Sequence, residues 1–223
     1  MALNWKPVEA PARVPLDGRT VRLEPVDPAR HAAQLFASIQ GADHVWDYLA
    51  YGPFPNFETF SSWLNERAAS TDPLFYTVVD RAAEAARGMA SYMRFDPPNG
   101  VIEVGHIWFS PALQRSRQAT EAIFLMARHV FDDLGYRRLE WKCDSMNAPS
   151  RQAAERFGFE YEGVFRHHMV IKDRNRDTAW FGMTDGDWPL RRAAFEAWLA
   201  DANFDEQGLQ RRSLAELRAQ FAR

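Results

Sequence analysis

The stretch 101–143 limits what this chain can fold into more than any other part. It opens with the apolar run VIEVGHIWF. There Val101, Glu103, Gly105, Ile107 and Phe109 share one face, and Ile102, Val104, His106 and Trp108 share the other, because strand side chains alternate. A basic turn, QRSRQ, leads into residues 115–134, where Ala119, Ile123, Met126, Ala127, Val130, Phe131 and Leu134 recur at helical spacing. Gly135 ends that helix. RRLEWKC then alternates again, with Leu139, Trp141 and Cys143 on one side. A helix that crosses between two strands gives a mixed α/β sheet.

The rest of the chain fits that sheet. Residues 1–18 carry Pro7, Pro11 and Pro15 and are expected to form an extended arm. RTVRLEPV alternates as a half-buried strand. Asp27-Pro28 is a capped helix start, and Leu35, Phe36 and Ile39 form its apolar face. The aromatic-rich segment that follows is broken by Pro53 and Pro55, and a second helix runs from about Glu58 to Ala69. LFYTVVD and RGMASYMRFD are strands, and PPNG is a turn before the central unit. Asn147 opens another helix, stopped by Gly158. Two more strands, joined by KDRNR, and two C-terminal helices at 187–200 and 213–222 complete the chain.

Composition excludes several classes. The net charge of −3 argues against a nucleic-acid surface. One cysteine, Cys143, rules out an internal disulfide. No apolar run has the length of a membrane span, and the N-terminus lacks the pattern of a signal peptide, so a cytoplasmic protein is expected. The six histidines show no metal-binding spacing, so no metal is expected. His167 and His168 point to opposite sides of a strand, and alternation sets His106 opposite Glu103.

Three stretches, IEVGHIWFSPALQRSRQATEA, DSMNAPSRQAAERFGFEYEGVFR and the closing RDTAWFGMTDGDW, taken in order, resemble the GNAT superfamily of acetyl-coenzyme-A-dependent N-acetyltransferases. The resemblance is closest to the group that acetylates protein N-termini, including ribosomal-protein alanine termini. It covers roughly residues 17–188 and is strongest over 101–166. It implies an α/β (α+β) GNAT fold: a central mixed, mostly antiparallel twisted sheet of about seven strands flanked by helices. The implied layout is an N-terminal arm at 1–18, an acetyltransferase domain at 19–186 and a C-terminal helical extension at 187–223.

The resemblance also implies roles. In the family the loop before the central helix reads Gln/Arg-x-x-Gly-x-Gly/Ala, and its amides hold the coenzyme A pyrophosphate. Gln114 and Ala119 fit this pattern, while Arg117 stands where the first glycine is expected. A helix N-terminus can bind phosphate without glycine, and Arg115 and Arg117 would add charge-assisted bonds. Gln118 and Thr120 belong to the same cofactor-binding turn, and the family's splayed strands imply that the backbone N–H of Trp108 or Phe109 faces the acetyl carbonyl. Glu103 falls where the family has a general base, with a strand carboxylate paired to a cation as the alternative reading. Asn147 and Ser150 fall where the pantetheine arm binds, Ser150 as partner of the departing thiolate; Asn147 reads equally well as a helix cap.

Trp46, Tyr48 and Tyr51, beside Asp47, are expected to wall the acceptor site, with core packing as the alternative. Acetyl-CoA is the implied co-substrate and an amine, either a peptide N-terminus or a small molecule, the implied acceptor. Rival readings are a detoxifying enzyme for small amines or aminoacyl-nucleotides, and a non-catalytic acyl-CoA-binding module. The C-terminal residues Trp188, Phe195, Trp198 and Leu199 either cover the fold or meet a partner copy in a homodimer.

Overall fold

The computed structural model describes residues 4–222; residues 1–3 of the expected arm and Arg223 lie outside them. Eight strands form one sheet in the order β1-β2-β3-β4-β5-β6-β8-β7. They are β1 (Leu16–Asp17), β2 (Val21–Pro25), β3 (Leu74–Asp80), β4 (Ala85–Asp96), β5 (Val101–Phe109), β6 (Arg138–Asp144), β7 (Glu160–Ile171) and β8 (Arg174–Thr184). Neighbours are antiparallel except β5 and β6. The sheet therefore has one more strand than expected: the two-residue β1 forms inside the arm and pairs with β2.

Helices α1 (Pro28–Ser38) and α2 (Phe57–Ala69) cover one face. The other face carries α3 (Arg117–Arg128), α4 (Ala148–Phe157), α5 (Trp188–Leu199) and α6 (Leu214–Phe221). Each face has its own core. Ile102 and Val104 of β5 pack with Ile123 and Met126 of α3, whereas Phe75, Met89 and Trp108 pack with Leu35, Phe60 and Trp63. The central helix is shorter than its apolar pattern: α3 gives way at Arg128 to one π-helical turn, His129–Asp133. Gly135 then takes φ +71°, a conformation open to glycine without strain.

The C-terminal helices cover the fold. Trp188, Phe195, Trp198 and Leu199 are all buried, and the Trp188 ring lies 5.3 Å from that of Phe131. The arm is pinned along the sheet by Trp5 Nε1 donating to Pro98 O (2.8 Å) and Tyr136 Oη donating to Glu9 O (3.1 Å). Glu121 of α3 holds the turn before β2, accepting from the amides of Arg19 (2.7 Å), Thr20 (2.6 Å) and Val21 (3.1 Å). Between β7 and β8, Lys172 and Asp173 take φ +49° and +58°, the two left-handed residues of a tight hairpin turn. Among the described residues no helix is long and apolar enough to cross a membrane.

Candidate active site

The parallel pair β5 and β6 is joined only at Val101–Val104 against Arg138–Trp141. Beyond that point β5 continues beside β4 to Phe109, and β6 continues beside β8 to Asp144, with no pairing between the two. The gap opens a cavity of about 1620 Å³. It runs from the start of α3, past Glu103 and Ser150, to the loop that carries Tyr48.

At the start of α3 the chain solves without glycine the problem that the sequence raised. Arg115 itself takes the left-handed conformation, φ +57°. Ser116 caps the helix, its Oγ accepting from Ala119 N at 3.0 Å. Among the described residues the amides of Arg117 and Gln118 have no acceptor, so the helix offers N–H donors and its positive dipole end to the cavity. Gln114 braces the turn by donating to Phe109 O at 2.9 Å. Ser116, the residue directly before the first helical one, is a capping signal that the sequence carried and the reading passed over.

The two arginines of the turn differ. Arg115 is exposed. Arg117 is tied down: its guanidinium donates to Leu199 O and to Asp201 Oδ1 (2.8 Å) and lies 4.5 Å from the Phe204 ring centroid. The donors expected to reach for phosphate thus fasten the segment after α5 to the cavity wall. Among the described residues a different arginine has no carboxylate partner. Arg156 of α4 donates to Thr120 Oγ1 at 3.0 Å and stacks 5.0 Å from the Trp198 ring centroid. Burial holds its pKa below the usual value. It lines the cavity beside Thr120. No periodicity singled it out, because its partners come from α3 and α5.

Glu103 is buried, at 4% exposure. Its Oε2 accepts from Lys142 Nζ at 3.0 Å and meets an Arg94 guanidinium nitrogen at 3.4 Å. Lys142 also reaches Glu140 at 2.7 Å and stands 3.7 Å over the Trp180 ring. Burial raises the Glu103 pKa, and the cations Lys142 and Arg94 pull against that. The alternative of a paired strand carboxylate is therefore met in part, while Glu103 still lines the cavity. Lys142 shares its strand face with Glu140, which was the readable sign of a buried ion pair.

Ser150 sits in the first turn of α4. Its Oγ accepts from Trp141 Nε1 at 3.0 Å, and its O–H, the group left to donate, lies beside the Cys143 sulfur. Asn147 caps that helix, accepting from Ser150 N at 3.1 Å, and lines the cavity as well. Burial pushes the Cys143 thiol up, as suits a neutral packing residue.

The acceptor side departs from the expected wall. Trp46 is 1% exposed and does not line the cavity. Its ring packs within 5.1 Å of Trp108, 5.3 Å of Phe54 and 6.1 Å of Trp63, where edge and tilted contacts stabilise the second core. Tyr51 packs in that cluster too and hydrogen-bonds His106 Nδ1 at 3.1 Å. Of the three, Tyr48 lines the cavity, its Oη donating to Met146 O at 3.1 Å.

His106 corrects the alternation reading. The pairing of Ser91 with Gly105 and of Met89 with Trp108 leaves an extra residue in β5, and His106 takes φ +50° there. The bulge turns His106 onto Tyr51 and Phe75 of the second core and into the cavity that Glu103 lines. Burial first, then Arg67, Arg94 and Arg176, lower its pKa to about 4, so it stays neutral near pH 7.

Residues 20–160 match the model of the acetyltransferase (GNAT) domain. No curated protein matches the sequence. Among solved structures, a GCN5-related N-acetyltransferase from Brucella melitensis is 48% identical, with a TM-score of 0.95 over 97% of this chain and 99% of that one. A probable acetyltransferase (GNAT family) from Chromobacterium violaceum is 44% identical, with a TM-score of 0.79 over 85% of this chain and 95% of that one. The microcin C7 self-immunity acetyltransferase MccE, in complex with acetyl-CoA and AMP, shares the fold at 20% identity and a TM-score of 0.65, over 75% of this chain and 93% of that one. With the family model spanning more than half of its length and two relatives above 40% identity, the chain belongs to the GNAT acetyltransferase family.

Proposed function

We propose that the protein is an acetyl-CoA-dependent N-acetyltransferase that moves the acetyl group directly to a primary amine within a ternary complex. The observation that carries this reading is the cavity at the β5–β6 gap, which joins unpartnered helix amides at one end to a buried carboxylate in the middle. The residues present fit coenzyme A. The free amides of Arg117 and Gln118 suit a pyrophosphate, with Gln118, Ala119 and Thr120 forming the first turn behind them. Asn147 and Ser150 border the route for the pantetheine arm.

The chemistry follows from those residues. The amine nitrogen attacks the thioester carbonyl carbon, and the carbon–sulfur bond breaks. The backbone N–H of Trp108 or Phe109 stabilises the developing oxyanion. Glu103 accepts the amine's proton through a water, and its raised pKa brings it toward the working pH of a base. Ser150 donates its hydroxyl proton's hydrogen bond to the leaving thiolate, its acceptor side already engaged by Trp141. The acceptor is either a protein N-terminus or a small amine.

A panel assay that follows free thiol release tests the reading. Acetyl-CoA-dependent thiol release with at least one primary amine supports it; tight acetyl-CoA binding without turnover of any amine favours a binding module instead. A second measurement probes the cofactor end. Arg156→Ala is expected to weaken acetyl-CoA binding about tenfold in a titration, because a guanidinium without a carboxylate partner is removed from the wall. Unchanged affinity would take Arg156 out of the site.

A further inference from the structure

Two guanidiniums at the acceptor end are left without a strong partner. Arg176 of β8 lines both the main cavity and a smaller adjoining one of about 320 Å³. Its Nε donates to Thr178 Oγ1 at 3.2 Å, which orients the fork, and among the described residues it forms no ion pair. Arg94 of β4 takes a left-handed backbone, φ +48°, with its amide held by Asp72 Oδ1 at 2.9 Å. Its guanidinium touches only the edge of Glu103, at 3.4 Å, while Lys142 makes the shorter contact with that carboxylate. Both arginines line the cavity with His106. The pair also acts on the neighbouring imidazoles: burial, then Arg67, Arg94 and Arg176 lower the His106 pKa, and burial, then Arg94, Arg176 and Lys142 lower that of His168. Arg176 is half-buried and, among the described residues, has no carboxylate within ion-pair reach, while Arg94 is more exposed and shares Glu103 with Lys142. A ligand anion would give both guanidiniums a closer partner.

The acceptor end is also closed on two sides. Tyr48 Oη donates to Met146 O at 3.1 Å, and Lys172 Nζ donates to Trp46 O at 2.9 Å. These bonds tie the 43–50 loop to the β6–α4 turn and to the β7–β8 turn. Such a space suits a small molecule better than a polypeptide end. Asp47 and Asp144 line it too and suit an arriving ammonium group.

We propose that the acceptor is a small amine carrying an anionic group, a carboxylate or a phosphate, and that Arg176 and Arg94 bind that group. The inference rests on the N-acetyltransferase reading above and deepens it. Guanidinium forks pair with either anion in two-point fashion, which orients the amine as well as holding it.

Two matched probe pairs separate the two anions: L-phenylalanine against L-phenylalaninamide, and phosphoethanolamine against ethanolamine. Thiol release gives kcat and KM for each, and equilibrium titration into the coenzyme-A-saturated protein gives affinity without turnover. The anionic member of at least one pair is expected to be favoured about tenfold or more, through KM and through affinity. Arg176→Gln should bring that ratio close to one, and Arg176→Lys should restore part of it. An acetyl-CoA titration of each variant checks that it is folded. Ratios near one for both pairs in the wild type would overturn the proposal. So would a ratio undiminished in Arg176→Gln, or a free-N-terminal hexapeptide of uncharged residues favoured over both pairs. Titrations that show the preference while no amine is acetylated would count against the enzyme reading and leave the anion site standing.

Discussion

Replacing Glu103 by glutamine should lower kcat for acetyl transfer by about 10²–10⁴-fold, the usual worth of a positioned general base. The affinity for acetyl-CoA should stay near the wild-type value, because the amides that suit the pyrophosphate lie at the start of α3. Steady-state kinetics beside a binding titration reads both. The control is thermal melting across pH. Burial raises the folded-state pKa of Glu103, so the ionised form is the one the fold disfavours. The wild type therefore loses stability as pH rises through that pKa, and the glutamine variant does not. At neutral pH the variant should melt at or above the wild-type temperature, with Glu140 still 2.7 Å from Lys142 to hold it. A variant that keeps most of its turnover would remove Glu103 from the chemistry, leaving it as the partner of Lys142.

Trp46→Ala should destabilise the protein by about 3–5 kcal/mol, the range for deleting a large buried aromatic side chain. At roughly 2–4 °C per kcal/mol for a chain of this size, the melting temperature should fall by about 10 °C. Trp46 is fully inside, and its ring meets those of Tyr51, Phe54, Trp63 and Trp108. The loss reaches the site through Trp108, whose strand borders the cavity. A cost below about 1 kcal/mol, measured by denaturant unfolding, would mean that the second core closes over the gap, which close packing of this kind resists.

Much of this was readable in the sequence because the signals were local. Alternation and helical spacing found β5, α3 and β6, and the central cavity follows from that order. Asn147 announced α4, and Gly158, at φ +92°, ended it as read. What escaped depends on residues far apart in the chain. The fastening of Arg117 to Leu199 and Asp201 joins positions more than eighty residues apart. Arg156 and Arg176 stood in unremarkable charged surroundings, and among the described residues the fold sets no carboxylate within ion-pair reach of either. Trp46 and Tyr51 were drawn into the core because each exposed ring has a better place among other rings. His106 was misplaced for a further reason: strict alternation assumes a regular ladder, and the irregularity leaves no mark in composition.

That irregularity fixes a count as well as a shape. Up to Gly105, β5 keeps one phase of the pleat, with even-numbered side chains toward α3; past His106 the phase is reversed, and Trp108 looks toward α2. A chain shortened by one residue there would keep nearly every hydrophobic side chain and still present the wrong side of the strand to each neighbour. The length of this segment is therefore as binding on descendants of the sequence as the identity of any residue in it.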